Sequence, residues 1–167
     1  MATVTMDGKT ITISGALPRA GTAAPDFRLV GSDLADVTLR TFAGKRKILN
    51  IVPSLDTRVC SLSARRFDTL AAGLANTVVL VVSADLPFAM KRACSDVGLE
   101  HVIPLSLMRG RAFAQDYGVL MTDGPMEGIT ARAVVVLDES NRVIHAQLVG
   151  DIGDEPDYDA AIAAARG

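Results

Sequence analysis

The chain has 167 residues, 49% of them hydrophobic and 22% charged, with a formal net charge of -2. That composition is globular, and the length suits a single domain, 1–167, that buries its core without disulfide or metal staples. The balance of 17 basic and 19 acidic side chains, with only 4% aromatic residues, argues against nucleic acid as a partner, because it leaves neither a basic stripe nor a base-stacking platform.

The first residues, "MATVTMDGKTITISG", lack the charged and apolar regions of a secretory leader. No apolar run reaches the ~18–20 residues that span a bilayer, so the reading is a cytoplasmic protein with no membrane partner. In a reducing compartment two cysteines are seldom a permanent staple; a pair there is catalytic or sensory. "TVTMDGKTITI" (Thr3–Ile13) alternates around Asp7-Gly8, the dipeptide of a tight hairpin turn. "PRAGTAAPDF" (Pro18–Phe27) is a loop, and "FRLV" and "VTLR" are short candidate strands. "RKILNIV" (Arg46–Val52) is nearly all apolar, as in a strand covered on both faces.

Leu62, Phe67, Leu70, Ala71 and Leu74 recur mostly at three- and four-residue steps, giving an amphipathic helix from near Arg58–Cys60 to about Leu74. "TVVLVVSA" (Thr77–Ala84) is a second buried strand, and "LPFAMKRACSDVG" (Leu86–Gly98) a helix with proline in its first turn. A short strand "HVIPLSL", a short helix "RAFAQDYG" and a glycine-broken loop or hairpin "GVLMTDGPMEGIT" follow. "RAVVVLDESNRVIHAQLV" (Arg132–Val149) is a hairpin, and "EPDYDAAIAAARG" a C-terminal helix. Alternating strands and helices with a closing hairpin define an α/β protein with a mixed central sheet flanked by helices.

Cys60 ends the run "PSLDTRVC", where a buried strand gives way to a helix. One reading is a small apolar residue buried at an ordinary turn. The other is a reactive thiolate, favoured by the unpaired N–H groups and partial positive charge of a helix start. A helix end supplies only part of the stabilisation a thiolate needs, so a cation is required nearby. Arg132 opens the "AVVVL" strand and Arg58 is close in sequence; a strand-edge charge is more often simply solvated. Thr57 shares the first turn with Cys60 and its hydroxyl can donate and accept. Asp56 is the preferred N-cap, with Thr57 as the alternative. Cys94 sits inside the second predicted helix, near Phe88 and Met90, and reads locally as a core cysteine. His101 and His145 have no metal-ligand spacing.

"PSLDTRVC" matches the Pro-x-x-x-Thr-x-x-Cys signature of peroxiredoxins. "FAGKRKILNIVPSLDTRVCSLSARRF", "NTVVLVVSADLPFAMKRAC", "ARAVVVLDE" and "EPDYDAAI" together resemble the thiol peroxidase subfamily, of the atypical two-cysteine kind. The resemblance implies a thioredoxin-like fold with an N-terminal hairpin extension. It implies that Cys60 is the peroxidatic nucleophile, that Thr57 binds the peroxide, that Pro53 shields the pocket and that Arg132 is the cation. Cys94 becomes the resolving cysteine of a Cys60–Cys94 disulfide. The implied substrates are hydrogen peroxide and alkyl or lipid hydroperoxides, the reductant thioredoxin and the assembly a homodimer; neither a cofactor nor a metal is implied. The chain departs from its relatives at Arg58, where glycine or proline is usual, and at Val52, where an aromatic residue is usual. Rival readings are a bacterioferritin-comigratory type of peroxiredoxin, with its resolving cysteine in the same helix, and a peroxide-sensing switch or binding protein that is not a high-turnover enzyme.

Overall fold

The computed structural model describes residues 2–167. Its strands are β1 (Thr3–Met6), β2 (Lys9–Thr12), β3 (Leu29–Val30), β4 (Asp36–Val37), β5 (Arg46–Ile51), β6 (Thr77–Ser83), β7 (Val102–Ser106), β8 (Ala133–Leu137) and β9 (Val143–Leu148). Its helices are α1 (Arg58–Ala71), α2 (Pro87–Asp96), α3 (Ala112–Asp116) and α4 (Tyr158–Arg166). β1 and β2 form the N-terminal hairpin, and Asp7 and Gly8 both take positive φ, 50° and 75°, as its turn requires.

The main sheet runs β4-β3-β7-β6-β5-β8-β9. β5, β6 and β7 are parallel, and β8 and β9 continue antiparallel from the other side of β5. The apolar strands β5, β6 and β8 therefore sit centrally, where both faces are covered. Period-two alternation divides them. Leu49, Ile51, Leu80, Val82, Ala133 and Val135 face Phe113 and Tyr117 of the α3 segment. Ile48, Val52, Val79, Val81, Val134 and Val136 face the layer of α1, α2 and α4, which contains Phe67, Met90, Ile162 and both cysteines. Phe67 is fully buried and meets Tyr158 edge-on at 5.1 Å, and burying such a ring contributes about 1.5–3 kcal/mol. The hairpin closes a third apolar cluster, Val4, Ile11 and Ile13 against Met121, Ala131 and Ile152.

The mixed α/β architecture and the hairpin agree with the sequence reading, and the differences are local. Leu39–Phe42 is a 3₁₀ turn, so "VTLR" is strand only at its start, and "FRLV" only at Leu29–Val30. Phe27 instead packs into the core against Phe113. α1 stops at Ala71; Leu74 belongs to a following turn in which its N–H donates to the Ala71 carbonyl at 3.0 Å. Pro156 lies outside α4, whose N-cap is Asp157, accepting from the Ala160 N–H at 3.0 Å.

Candidate active site

β5 delivers the chain to the buried Pro53, and a tight turn begins the helix. The Ser54 carbonyl accepts from the Thr57 N–H at 3.1 Å and from the Thr57 hydroxyl at 3.0 Å. Thr57, extended at φ −92° and ψ 150°, is therefore the N-cap residue, and α1 opens at Arg58. Asp56 is not the cap, contrary to expectation; the turn centred on Ser54 ends one residue later. The Thr57 hydroxyl is committed to Ser54, so no side chain caps the helix. Cys60 is the third helical residue, on a turn whose amides carry partial positive charge.

Cys60 is fully buried. Arg132, the residue before β8, is 1% exposed and directs Nη2 to Cys60 Sγ at 3.4 Å. The same Nη2 donates to the Ile152 carbonyl at 3.1 Å, while Nε and Nη1 have no partner among the described residues. A buried guanidinium with idle donors is costly unless a ligand engages them. Arg58 is exposed, so of the two arginines considered Arg132 is the one that reaches the sulfur.

The arginine's seat depends on the hairpin. The Ile152 N–H donates to the Thr5 carbonyl at 2.9 Å, and the Thr5 hydroxyl donates to Asp151 Oδ2 at 2.5 Å. The Thr130 hydroxyl donates to the Val52 carbonyl at 2.8 Å and ties the chain leaving β5 to the segment that leads into β8. Beneath Cys60, Asn50 Nδ2 donates to Ser63 Oγ at 3.2 Å, and the Ser63 hydroxyl donates to the Cys60 carbonyl at 3.0 Å.

Cys94 lies in the last turn of α2, 8% exposed, in the same apolar layer as Cys60; both are free thiols. Burial, with a smaller contribution from the nearby Asp68 carboxylate, pushes its thiol up to about 11. A Cys94 so protonated is a poor nucleophile in its helix. A cavity of about 660 Å³ is lined by Ala84, Leu86, Met108, Arg111, Leu120 and Ile129, and not by Pro53, Thr57, Cys60 or Arg132.

Sequence reasoning brought forward Pro53, Thr57, Cys60 and Arg132, and the structure gathers Cys60 and Arg132 into direct contact. It missed the supports: Asn50, Ser63, the Ile152 carbonyl and Asp85, whose carboxylate binds the Ser54–Leu55 loop. A main-chain carbonyl leaves no side-chain signature. Asp85 directly precedes the Leu-Pro that opens α2, where an aspartate reads as an ordinary helix cap.

A strand–turn–helix motif bearing a cysteine on a thioredoxin-like mixed sheet, with a buried arginine on its sulfur, defines a thiol-based redox protein. The Redoxin family model matches residues 19–162. Over 164 residues the chain is 45% identical to the thiol peroxidase of Corynebacterium glutamicum, covering 98% of this chain and 99% of that one. The crystal structure of a peroxiredoxin-like protein from Aquifex aeolicus superposes with a TM-score of 0.91 at 36% identity, over 98% of this chain and 95% of the other. A thiol peroxidase from Chromobacterium violaceum gives 0.89 at 29% identity, over 95% and 91%. The chain belongs to the Redoxin family and, within the peroxiredoxins, to the thiol peroxidase subfamily.

Proposed function

We propose that the protein reduces hydrogen peroxide and organic hydroperoxides through Cys60, with Cys94 as the resolving cysteine and thioredoxin as the external reductant. The observation that carries this reading is the Arg132–Cys60 contact, with the remaining arginine donors unoccupied. The Cys60 thiolate attacks one peroxide oxygen; the S–O bond forms as the O–O bond breaks. The departing oxygen takes a proton and leaves as water or an alcohol, and Cys60 becomes a sulfenic acid. Arg132 Nε and Nη1 supply donors for the oxygen that develops charge. The Thr57 hydroxyl, turned from Ser54, holds the bound peroxide, and Pro53 keeps bulk water away.

The Cys94 sulfur then attacks the Cys60 sulfur. The S–S bond forms, the S–O bond breaks, and the hydroxyl leaves as water with the Cys94 proton. A dithiol returns both cysteines to the thiol state by exchange. Membership of the subfamily supports thioredoxin as that dithiol and a homodimer as the working form. Among the described residues no helix is long and apolar enough to cross a membrane.

A thioredoxin-coupled assay following NADPH oxidation, with hydrogen peroxide and tert-butyl hydroperoxide in parallel, tests the reading. Consumption that requires both peroxide and Cys60 is expected. Consumption equal to that of a Cys60→Ser control contradicts it.

A further inference from the structure

Asp85 ties the segment that carries one cysteine to the segment that carries the other. Its own main chain is fixed to the sheet: the N–H donates to Ser83 Oγ at 3.2 Å, and the carbonyl accepts from the Ser106 hydroxyl at 2.5 Å. Its carboxylate reaches the opposite way, into the loop that opens α1. Oδ1 accepts from the Ser54 hydroxyl at 2.7 Å, and Oδ2 accepts from the Leu55 N–H at 2.8 Å and the Ser83 hydroxyl at 2.7 Å. Ser54 is in turn the centre of the active-site turn, holding the Asp56 N–H on Oγ at 3.1 Å and Thr57 on its carbonyl. The residue after Asp85 is Leu86, the N-cap of α2, which carries Cys94 in its last turn.

Cys60 and Cys94 are both buried, each in its own ordered helix. A disulfide tolerates Cα separations only up to ~7 Å and a narrow dihedral range; where two helical cysteines must move to meet it, a helix start such as that of α1 is the part that opens at least cost. Peroxide binding needs the reverse, with Pro53, Thr57 and Cys60 gathered under Arg132. Two of the contacts that hold the start of α1 in the arrangement seen here run from the Ser54–Leu55 loop to a carboxylate on anchored backbone.

We propose that Asp85 is a positioning residue that latches the Ser54–Leu55 loop shut and so sets how the Cys60 sulfenic acid divides between disulfide formation and further oxidation. This rests on the cysteine roles proposed above. In the first outcome the S–S bond forms and water leaves. In the second, a second peroxide molecule transfers an oxygen to the sulfenate sulfur, its O–O bond breaks, and a sulfinic acid and water or an alcohol result.

Weakening the latch has an asymmetric effect. While the closed form stays in the majority, a tenfold loss of latch strength raises the open fraction about tenfold but lowers the closed fraction by less than about twofold. Asp85→Asn keeps the shape but removes the charge and one of the two acceptor oxygens, so the single amide oxygen can serve the Ser54 arm or the Leu55 arm and not both, and neither bond is charge-assisted. Disulfide formation after the initial oxidation should therefore speed up about tenfold, and the sulfinic yield at a given peroxide concentration should fall about tenfold. The bimolecular reaction with peroxide should slow by less than about twofold. General damage to the fold would slow the peroxide step without accelerating any other.

The experiment is stopped-flow oxidation of full-length reduced protein by hydrogen peroxide, with mass spectrometry of the products, on wild type, Asp85→Asn and Ser54→Ala. Ser54→Ala removes the Oδ1 arm together with the Asp56 N–H bond inside the same loop, leaves the Leu55 arm in place, should show the same signs, and decides the matter if Asp85→Asn does not fold. An unchanged or slower disulfide step, or an unchanged sulfinic yield, in the folded variants overturns the proposal. A wild-type protein that forms no Cys60–Cys94 disulfide overturns the function proposed above as well, and that failure is read in wild type before any variant is compared.

Discussion

The Nη2 of Arg132 stands 3.4 Å from the sulfur of Cys60, and both side chains are withdrawn from solvent. Guanidinium remains charged at any relevant pH, and its planar donors suit a site where charge develops on oxygen beside a thiolate. The pair joins the start of α1 to the start of β8, and the Ile152 carbonyl fixes the orientation of the shared nitrogen at 3.1 Å.

Arg132→Met keeps the approximate length while removing charge and donors. Oxidation of Cys60 by hydrogen peroxide should slow by about 100-fold or more, the scale of losing a donor aimed at developing charge. Arg132→Lys restores charge without the fork and should recover only part of the rate. Stopped-flow rates at neutral pH give the comparison. Equal rates in wild type and Arg132→Met would place the cation elsewhere, at Arg58 or the helix end.

The two cysteines should fail differently. Cys60→Ser is expected to leave no peroxide turnover, because a serine hydroxyl is not ionised at neutral pH. Cys94→Ser should still undergo one fast oxidation, then stall as sulfenic acid or advance to sulfinic acid. Dimedone trapping with mass spectrometry separates these outcomes. Sustained thioredoxin-linked turnover by Cys94→Ser would remove Cys94 from the cycle.

Burial holds the Cys94 thiol at about 11, above its ordinary value of 9.0. Between those values the unfolded chain has lost the Cys94 proton and the native protein keeps it. The unfolded state therefore binds fewer protons, and stability falls as pH rises through that window. Below about pH 9 the group costs nothing. Cys94→Ala should be less stable at neutral pH and should show a shallower alkaline decline. Urea denaturation across the alkaline range measures both slopes. Tyr117 and Tyr158, also raised by burial, contribute to each slope, and the difference between the slopes isolates Cys94. Parallel slopes would show that Cys94 is not desolvated in the native state.

Oxidation should loosen two segments together. Thr57–Cys60 begins α1, and Cys94 closes α2, where its carbonyl accepts from the Leu99 N–H at 2.9 Å. Helix ends open at little cost. Amide hydrogen exchange should be faster at both segments in the disulfide form than in the dithiol form. Equal protection in the two forms, with the Cys60–Cys94 bond confirmed, would mean that the disulfide forms without unwinding.

Much of this was legible in the chain itself, for identifiable reasons. "KILNIV", "TVVLVV" and "AVVVL" are strands buried on both faces, and their uninterrupted apolar character carries that information locally. The position of Cys60 at a helix start also follows from local patterning. The contact between Arg132 and Cys60 does not: locally, a charge at the edge of an apolar strand reads as solvated, the need for a cation beside a thiolate leaves Arg132 and Arg58 both open, and the family resemblance chooses Arg132. Thr57 rather than Asp56 caps α1 because of Ser54, whose carbonyl takes both the N–H and the hydroxyl of Thr57. "VTLR" turns into a 3₁₀ segment although its residues suit a strand, because β4 pairs with β3 over two residues only, leaving no ladder beyond Val37. Asp85 acts across the fold, and neither composition nor period marks such a contact.

The most direct measurement is the product analysis of reduced wild-type protein mixed with one equivalent of hydrogen peroxide. Rapid formation of a single intramolecular Cys60–Cys94 disulfide, blocked by Cys60→Ser and arrested at a Cys60 sulfenic acid by Cys94→Ser, is expected. Peroxide left unconsumed, or consumed at the same rate after Cys60→Ser, would contradict the role of Cys60 and with it the function assigned to the site.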